Sequence, residues 1–277
     1  MGKVELYEDI YKKNFSFGKN WSEFLKKLDK EKIEDAKNSL KNFSGLETFK
    51  GKVFVDIGCG SGLFSLCALL LGAKKVVSVD IDDSSINCAK FLRNKYSYSQ
   101  EKWEIIKGSA LDKEFINSLP KADILYSWGV LHHTGNMYEA FENVEKLSKK
   151  KTLFYLAIYN EFNGVPTSKT WRKIKKFYSS SGKISRKLME IIYISYYVLG
   201  LLVYGRNPIK YIKKYNKNSV RGMDFFTDAK DWLGGYPYEY ATTGKIKDYF
   251  EQKGFKLLKI RKSRREGCNE FLFRKEK

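Results

Sequence analysis

The chain has 277 residues, 43% of them apolar and 16% aromatic, a composition that excludes a disordered polypeptide and can bury a substantial core. Fifty-two Lys and Arg against 32 Asp and Glu leave a formal charge of +20. That charge points toward anionic partners (nucleic acid, a membrane surface or an acidic small molecule) without choosing among them, and an ordinary lysine-coated surface accounts for it equally.

Cys59, Cys67, Cys88 and Cys268 form no C-x-x-C pair, and with only His132 and His133 beside them the spacing of a structural zinc site is missing. Reduced thiols, no metal and a cytoplasmic setting are the expectation. Residues 1–6 carry neither an apolar signal core nor a myristoylation signal, which argues against secretion.

In chain order, residues 1–50 read as a helical segment, since Phe24, Leu25, Leu28, Ile33, Ala36 and Leu40 recur near helical spacing between Lys and Glu. From 51 to 160 short apolar strands alternate with helices. The strands fall at 53–57, 75–79, 103–106, 122–127 and 152–159, and the helices at 63–71, 84–94, 113–119 and 137–147. Residues 161–240 interrupt the pattern with a polar loop, a basic-aromatic stretch from Trp171 to Tyr178, and an uncharged run over 191–204. That run falls short of the roughly 20 apolar residues a bilayer span needs, so a lid helix is expected, with a membrane-interface helix as the alternative. Residues 241–277 complete the core with a helix at 243–252 and two strands, 255–259 and 269–274, that form a closing antiparallel hairpin. The fold class is α/β: a Rossmann-like, seven-stranded, mostly parallel sheet with N-terminal helices and a helical insertion after strand five.

The chemistry gathers at Asp56-Ile57-Gly58-Cys59-Gly60-Ser61-Gly62. A glycine-rich turn after a strand serves nicotinamide, flavin and S-adenosylmethionine (SAM) enzymes alike, but a dinucleotide fingerprint needs its third glycine at position 63, which is Leu63. Asp56 before the turn would repel a pyrophosphate, whereas SAM carries a sulfonium, an ammonium and no phosphate. Asp80 closes the second strand, where an acid accepts ribose hydroxyls. The plainer alternative is that both acids only cap helices.

The segment 55–62 resembles motif I of class I SAM-dependent methyltransferases, and Ser78-Val79-Asp80-Ile81-Asp82 resembles their motif II; the similarity covers about residues 50–160. It implies SAM as cofactor, with Asp56, Gly58, Cys59, Gly60 and Gly62 along its methionyl part, Asp80 on the ribose and Ile81 on the adenine. Many relatives place an Asp in the third motif where this chain has Ser109, so Ser109, the backbone of Ala110, or Asp112 is left to meet the adenine.

The segment from Tyr126 to His133 is similar to the post-strand element of ubiquinone-biosynthesis and related small-molecule methyltransferases. Ser127 and Trp128 would then face the donor, and His133, with His132 as the weaker candidate, would take a proton from an acceptor hydroxyl. Methyl transfer needs mainly proximity and alignment, so a capping or packing role for His133 is the counter-reading. The quinone branch carries carboxylates where Gly129 and His132 stand here, so no metal is carried over.

Residues 221–224 and 231–239 resemble a segment of bacterial members of the superfamily, as do 17–21 and 267–270. Arg221, Tyr236 and Tyr238, with Tyr159, are the expected substrate contacts; an ordinary crossover loop is the alternative. The function expected is O-methylation of a small, anionic metabolite. The alternatives are methylation of RNA such as tRNA, suggested by the charge and the 171–178 stretch, and a non-catalytic or membrane-associated SAM-binding protein.

Overall fold

A computed structural model describes Leu25 and residues 28–218, 224–263 and 267–277. Among the described residues, helix α1 (Lys30–Ser44) is capped by Asp29 and buries Ile33, Ala36, Leu40 and Phe43 along one face. Strand β1 (Val53–Ile57) is buried at all but its first residue, the continuous apolar run that a central parallel strand covered on both faces requires. Helix α2 (Leu63–Leu70), β2 (Lys75–Asp80), α3 (Asp83–Lys95), β3 (Trp103–Lys107), α4 (Lys113–Ser118), β4 (Ala122–Trp128), α5 (Met137–Val144) and β5 (Ser148–Tyr159) follow in alternation.

The insertion contributes α6 (Ser168–Ser180), α7 (Lys183–Val203), α8 (Pro208–Asn218) and α9 (Phe225–Gly234). Helix α10 (Thr243–Gln252), β6 (Phe255–Arg261) and β7 (Cys268–Lys275) close the chain's described part. The sheet order is β3-β2-β1-β4-β5-β7-β6; β7 runs antiparallel between β5 and β6, and the other described pairings are parallel. The seven strands and the closing hairpin expected from the sequence are therefore present.

Two apolar layers sandwich the sheet. Phe141, Phe154, Phe250, Phe271 and Phe273 lie in one, and Phe43, Phe49, Phe54 and Trp103 in the other. Fully burying such side chains contributes roughly 1.5–3 kcal/mol each. Chain connections run outward from β1 to β3 and then return to β4, so the crevice between the carboxyl ends of β1 and β4 is the switch point where doubly wound sheets bind ligands.

Most element ends lie within two residues of the sequence reading, and two depart further. Strand β5 begins at Ser148, which pairs with Ala122; the register against β4 then jumps to Leu153 opposite Ile124, and the exposed Lys149, Lys150 and Lys151 bulge out between them, with a positive φ of 71° at Lys151. Helix α5 yields to a 3-10 turn over Glu145–Leu147, where one continuous helix was expected.

Candidate active site

After β1 the chain turns through Gly58 (φ +80°) and Gly62 (φ +79°), left-handed conformations that favour glycine. A Cβ on Gly58 would overlap the Val130 side chain, and one on Gly62 would stand 2.9 Å from Ala89 Cα. The turn is tied to the end of β2: the Gly58 and Cys59 amides donate to the Val79 carbonyl at 2.7 and 3.0 Å, and the Gly60 amide donates to Asp80 Oδ2 at 2.9 Å. Asp80 Oδ1 accepts from the Asp82 amide at 3.0 Å.

Asp56, on the last turnward stretch of β1, is buried, 1% exposed. Its Oδ2 accepts from Ser65 Oγ at 2.6 Å, Ser65 Oγ lies 2.6 Å from Ser78 Oγ, and Trp103 Nε1 donates to Ser78 Oγ at 2.7 Å. With Ser65 donating to the carboxylate, the protons can run one way, from Trp103 through Ser78 and Ser65 to Asp56. Asp56 Oδ1, equally buried, has no hydrogen-bond partner among the described residues. Burial pushes the Asp56 carboxyl up to about 7, with the Ser65 hydrogen bond opposing and the Asp80 charge adding to the rise. Burial likewise pushes Asp80 up to about 6, against the pull of its amide donors. A buried and a half-buried acid that resist ionisation side by side, the former with an unsatisfied oxygen, suit a cationic ligand and disfavour a phosphate. The Cys59 thiol beside them is pushed well above its ordinary value by burial, which makes it a packing group and not a nucleophile.

An open cleft of about 1900 Å³ spreads from this turn to the insertion. Asp56, Gly58, Cys59, Gly60, Asp80, Ile81, Ser109, Ala110, Trp128, His133, Tyr159 and Tyr236 line it. Four expected site residues do not. Gly62 starts α2 packed against Ala89, and Ser127, fully buried, donates its Oγ to the Ile57 carbonyl at 3.0 Å, joining β4 to β1. His132 is fully buried, its Nδ1 3.4 Å from the Tyr159 amide and its carbonyl accepting from Glu239, so it is a core residue and not a catalytic one. Tyr238, 1% exposed, packs with Trp171, Tyr178 and Leu233 beneath the cleft and does not face a substrate. Arg221 lies outside the described residues, as does the 17–21 segment. Asp112 places Oδ1 on the Glu114 and Phe115 amides as the cap of α4, whereas Ser109 and Ala110 sit on the cleft wall.

His133 ends the 3-10 turn Leu131–His133, with Nδ1 2.6 Å from the Pro237 carbonyl. A carbonyl only accepts, so Nδ1 carries the proton and Nε2 is the basic nitrogen. Gly235 closes the other side: a Cβ there would stand 3.0 Å from His133 Cε1. Sequence reading did not find Lys175, which is fully buried, donates to the Trp232 carbonyl, and sits 3.9 Å from the Trp232 ring centroid and 4.9 Å from that of Tyr238. Burial holds its ammonium well below the ordinary lysine range. The only signal in the sequence was helical spacing: Trp171, Lys175 and Tyr178 share the inward face of α6. Two aromatics of the 171–178 stretch are thus committed to packing and offer no stacking face to a nucleic acid. Among the described residues, no group of three His, Cys, Asp or Glu is gathered to hold a metal.

A family model described as a methyltransferase domain matches residues 48–204. Short stretches resemble ribosomal protein L11 methyltransferases: 40% identity over 81 residues with that of a Psychrobacter species, 27% of this chain and 24% of the relative, and 55% over 40 residues with that of Alteromonas mediterranea, 14% of each. The chain thus spans about a quarter or less of the curated relatives it matches.

Similar solved structures include the Synechocystis magnesium protoporphyrin IX methyltransferase with bound S-adenosylhomocysteine (TM-score 0.50, 12% identity, covering 88% of this chain and 81% of that one). A SAM-dependent methyltransferase from Aquifex aeolicus aligns at TM-score 0.50 and 13% identity over 92% and 98% of the two chains. An O-methyltransferase family protein from Burkholderia thailandensis aligns at 0.52 and 11% over 86% and 56%. At these identities the likeness is one of fold. With a family match over more than half its length, the chain belongs to the methyltransferase-domain family, and its sheet order gives it the fold of the SAM-dependent methyltransferases it resembles.

Proposed function

We infer that this enzyme methylates an oxygen of a small, anionic metabolite: a sugar or phosphate-bearing cell-surface glycan precursor, or a phenol or quinone precursor. SAM supplies an electrophilic methyl group when bound. Asp56 Oδ1 is the group to hold the donor's ammonium, Asp80 the ribose hydroxyls, Ile81, Ser109 and Ala110 the adenine, and the backbone of Gly58 to Gly60 the methionyl part. The unsatisfied buried oxygen of Asp56 supports the first of these, since a cation there replaces a missing interaction.

The observation that carries the reaction class is the His133–Pro237 hydrogen bond. It sets the tautomer, and the ring is wedged beside Gly235 on the cleft wall, so Nε2 accepts the acceptor's hydroxyl proton without reorienting. Tyr159, Trp232 and Tyr236 wall the acceptor space and exclude water, while the protein's positive charge draws an anion in.

The test is conversion of SAM to S-adenosylhomocysteine over a panel of anionic hydroxyl metabolites. In His133→Gln, kcat should fall by about 10²–10⁴-fold while donor affinity stays at the wild-type value. Undiminished turnover would mean that alignment alone drives transfer, and the base role would be lost.

A further inference from the structure

Helix α7 keeps one face on the protein and leaves the other uncovered among the described residues. Tyr193 packs on Trp171, Tyr197 on Phe225, Leu201 is buried, and Glu190 accepts from the Tyr178 hydroxyl. On the opposite side Ile184, Leu188, Ile191, Ile192, Leu199 and Leu202 recur at i, i+4, i+7, i+8, i+15 and i+18, and each is 52–87% exposed. The intervening outward positions are Ser185, Lys187, Ser195, Tyr196 and Val203; Lys187, 3.5 Å from Glu190 Oε2, stands near the start of the helix, and from Ile191 to Val203 no charge interrupts the stripe. A monomeric soluble protein rarely exposes an apolar strip of this extent without a partner for it.

Charge and continuity indicate which partner. Exposed Lys183 stands at one end of the stripe, and exposed Arg206, Lys210, Lys213 and Lys214 stand at the other, on and just before α8. The sole acid between 183 and 218 is Glu190, turned inward, so an anionic surface meets apolar side chains bracketed by cations. No single helix among the described residues is long and apolar enough to cross a bilayer, and α8 turns away from α7 by 115°. A helix held to the protein on one side with an apolar face outward has the geometry to lie in the plane of a membrane interface. Tyr196, Leu199, Val203 and Tyr204 are exposed on this side and also line the cleft, so its outer mouth opens beside the stripe.

We propose that the outer face of α7 docks on an anionic bilayer, and that the cleft takes from it an amphiphilic acceptor whose polar head reaches His133 while its apolar part lies along α7. The acceptor half rests on the methyltransferase reading above; the docking half does not. Flotation separates them. The wild-type chain should float with vesicles of phosphatidylcholine and phosphatidylglycerol and remain below vesicles of phosphatidylcholine alone. Leu188→Glu/Leu199→Glu and Lys213→Glu/Lys214→Glu should each lower binding by about tenfold or more. Retained affinity for S-adenosylhomocysteine certifies that these variants are folded.

Wild-type protein left at the bottom with both vesicles overturns the docking, as does undiminished flotation of Leu188→Glu/Leu199→Glu. A concentration-dependent dimer in sedimentation velocity, abolished by that variant and seen without flotation, assigns the face to a second copy and also overturns it. For the acceptor half, a dibrominated stearate below its micelle concentration should quench cleft tryptophans Trp128, Trp171 and Trp232 saturably, and Leu199→Glu/Val203→Glu should abolish this. Absence of quenching by wild-type protein overturns that half, whether or not the vesicles bind.

Discussion

Asp56 is a residue the fold holds under electrostatic stress. Its folded value of about 7, and that of about 6 for Asp80, lie above the ordinary carboxylate value of 3.8, so the folded state binds more protons than the unfolded one between those limits. Stability of the ligand-free protein therefore falls as pH rises from about 4 to about 7, and the bound cation should restore it. Asp56→Asn keeps an acceptor for Ser65 without the buried charge. Above about pH 7 it should melt at a higher temperature than wild type in the absence of donor, yet bind S-adenosylhomocysteine about tenfold or more weakly. Thermal melts and calorimetry across that pH range check both; a lower melting temperature at high pH would show that the carboxylate is not stressed. The acid itself was legible from its place before a glycine turn. The chain of Ser65, Ser78 and Trp103 behind it was not, because those residues come from three separate elements.

At the scale of elements, the β1–turn–α2 unit depends on the loop after β4. Gly58 combines a left-handed backbone with the Val130 side chain lying where its Cβ would be. Gly58→Ala should cost about 1–3 kcal/mol in denaturant unfolding and weaken donor binding. Adding Val130→Ala should return part of that loss, the steric part, and leave the backbone strain. Full additivity of the two changes would show that Val130 does not set the turn. Helix α6 teaches a different lesson. Its alternation of cations and aromatics suggested a nucleic-acid groove, but helical geometry sends Trp171, Lys175 and Tyr178 to one buried face and leaves Arg172, Lys173 and Lys176 outside. The composition of a stretch does not say which face of it is seen.

Across the whole molecule the apolar packing is uneven. Each face of the sheet has a large cluster, whereas the insertion has its own small one, built on Trp171, Tyr178, Leu233 and Tyr238. Opening α7 exposes little buried surface compared with separating β1 from β4. Native-state hydrogen exchange should therefore show amides of 183–203 exchanging at least about tenfold faster than those of β1 and β4; equal protection would mean that cap and sheet open as one unit.

What the sequence determined by itself was local: short continuous apolar runs alternating with helical ones, a turn whose glycines are required by backbone angles, and two acids at the ends of neighbouring strands. Those signals rest on spacing along the chain, and they sufficed for the sheet and for naming residues that the fold then brings to one cleft. Only the tertiary structure placed His132 in the core and His133 on the cleft wall, buried Tyr238, assigned Lys175 to an aromatic cage, and left one side of α7 uncovered among the described residues. These outcomes depend on which distant segment packs against each side chain, and spacing along a chain carries no information about that partner.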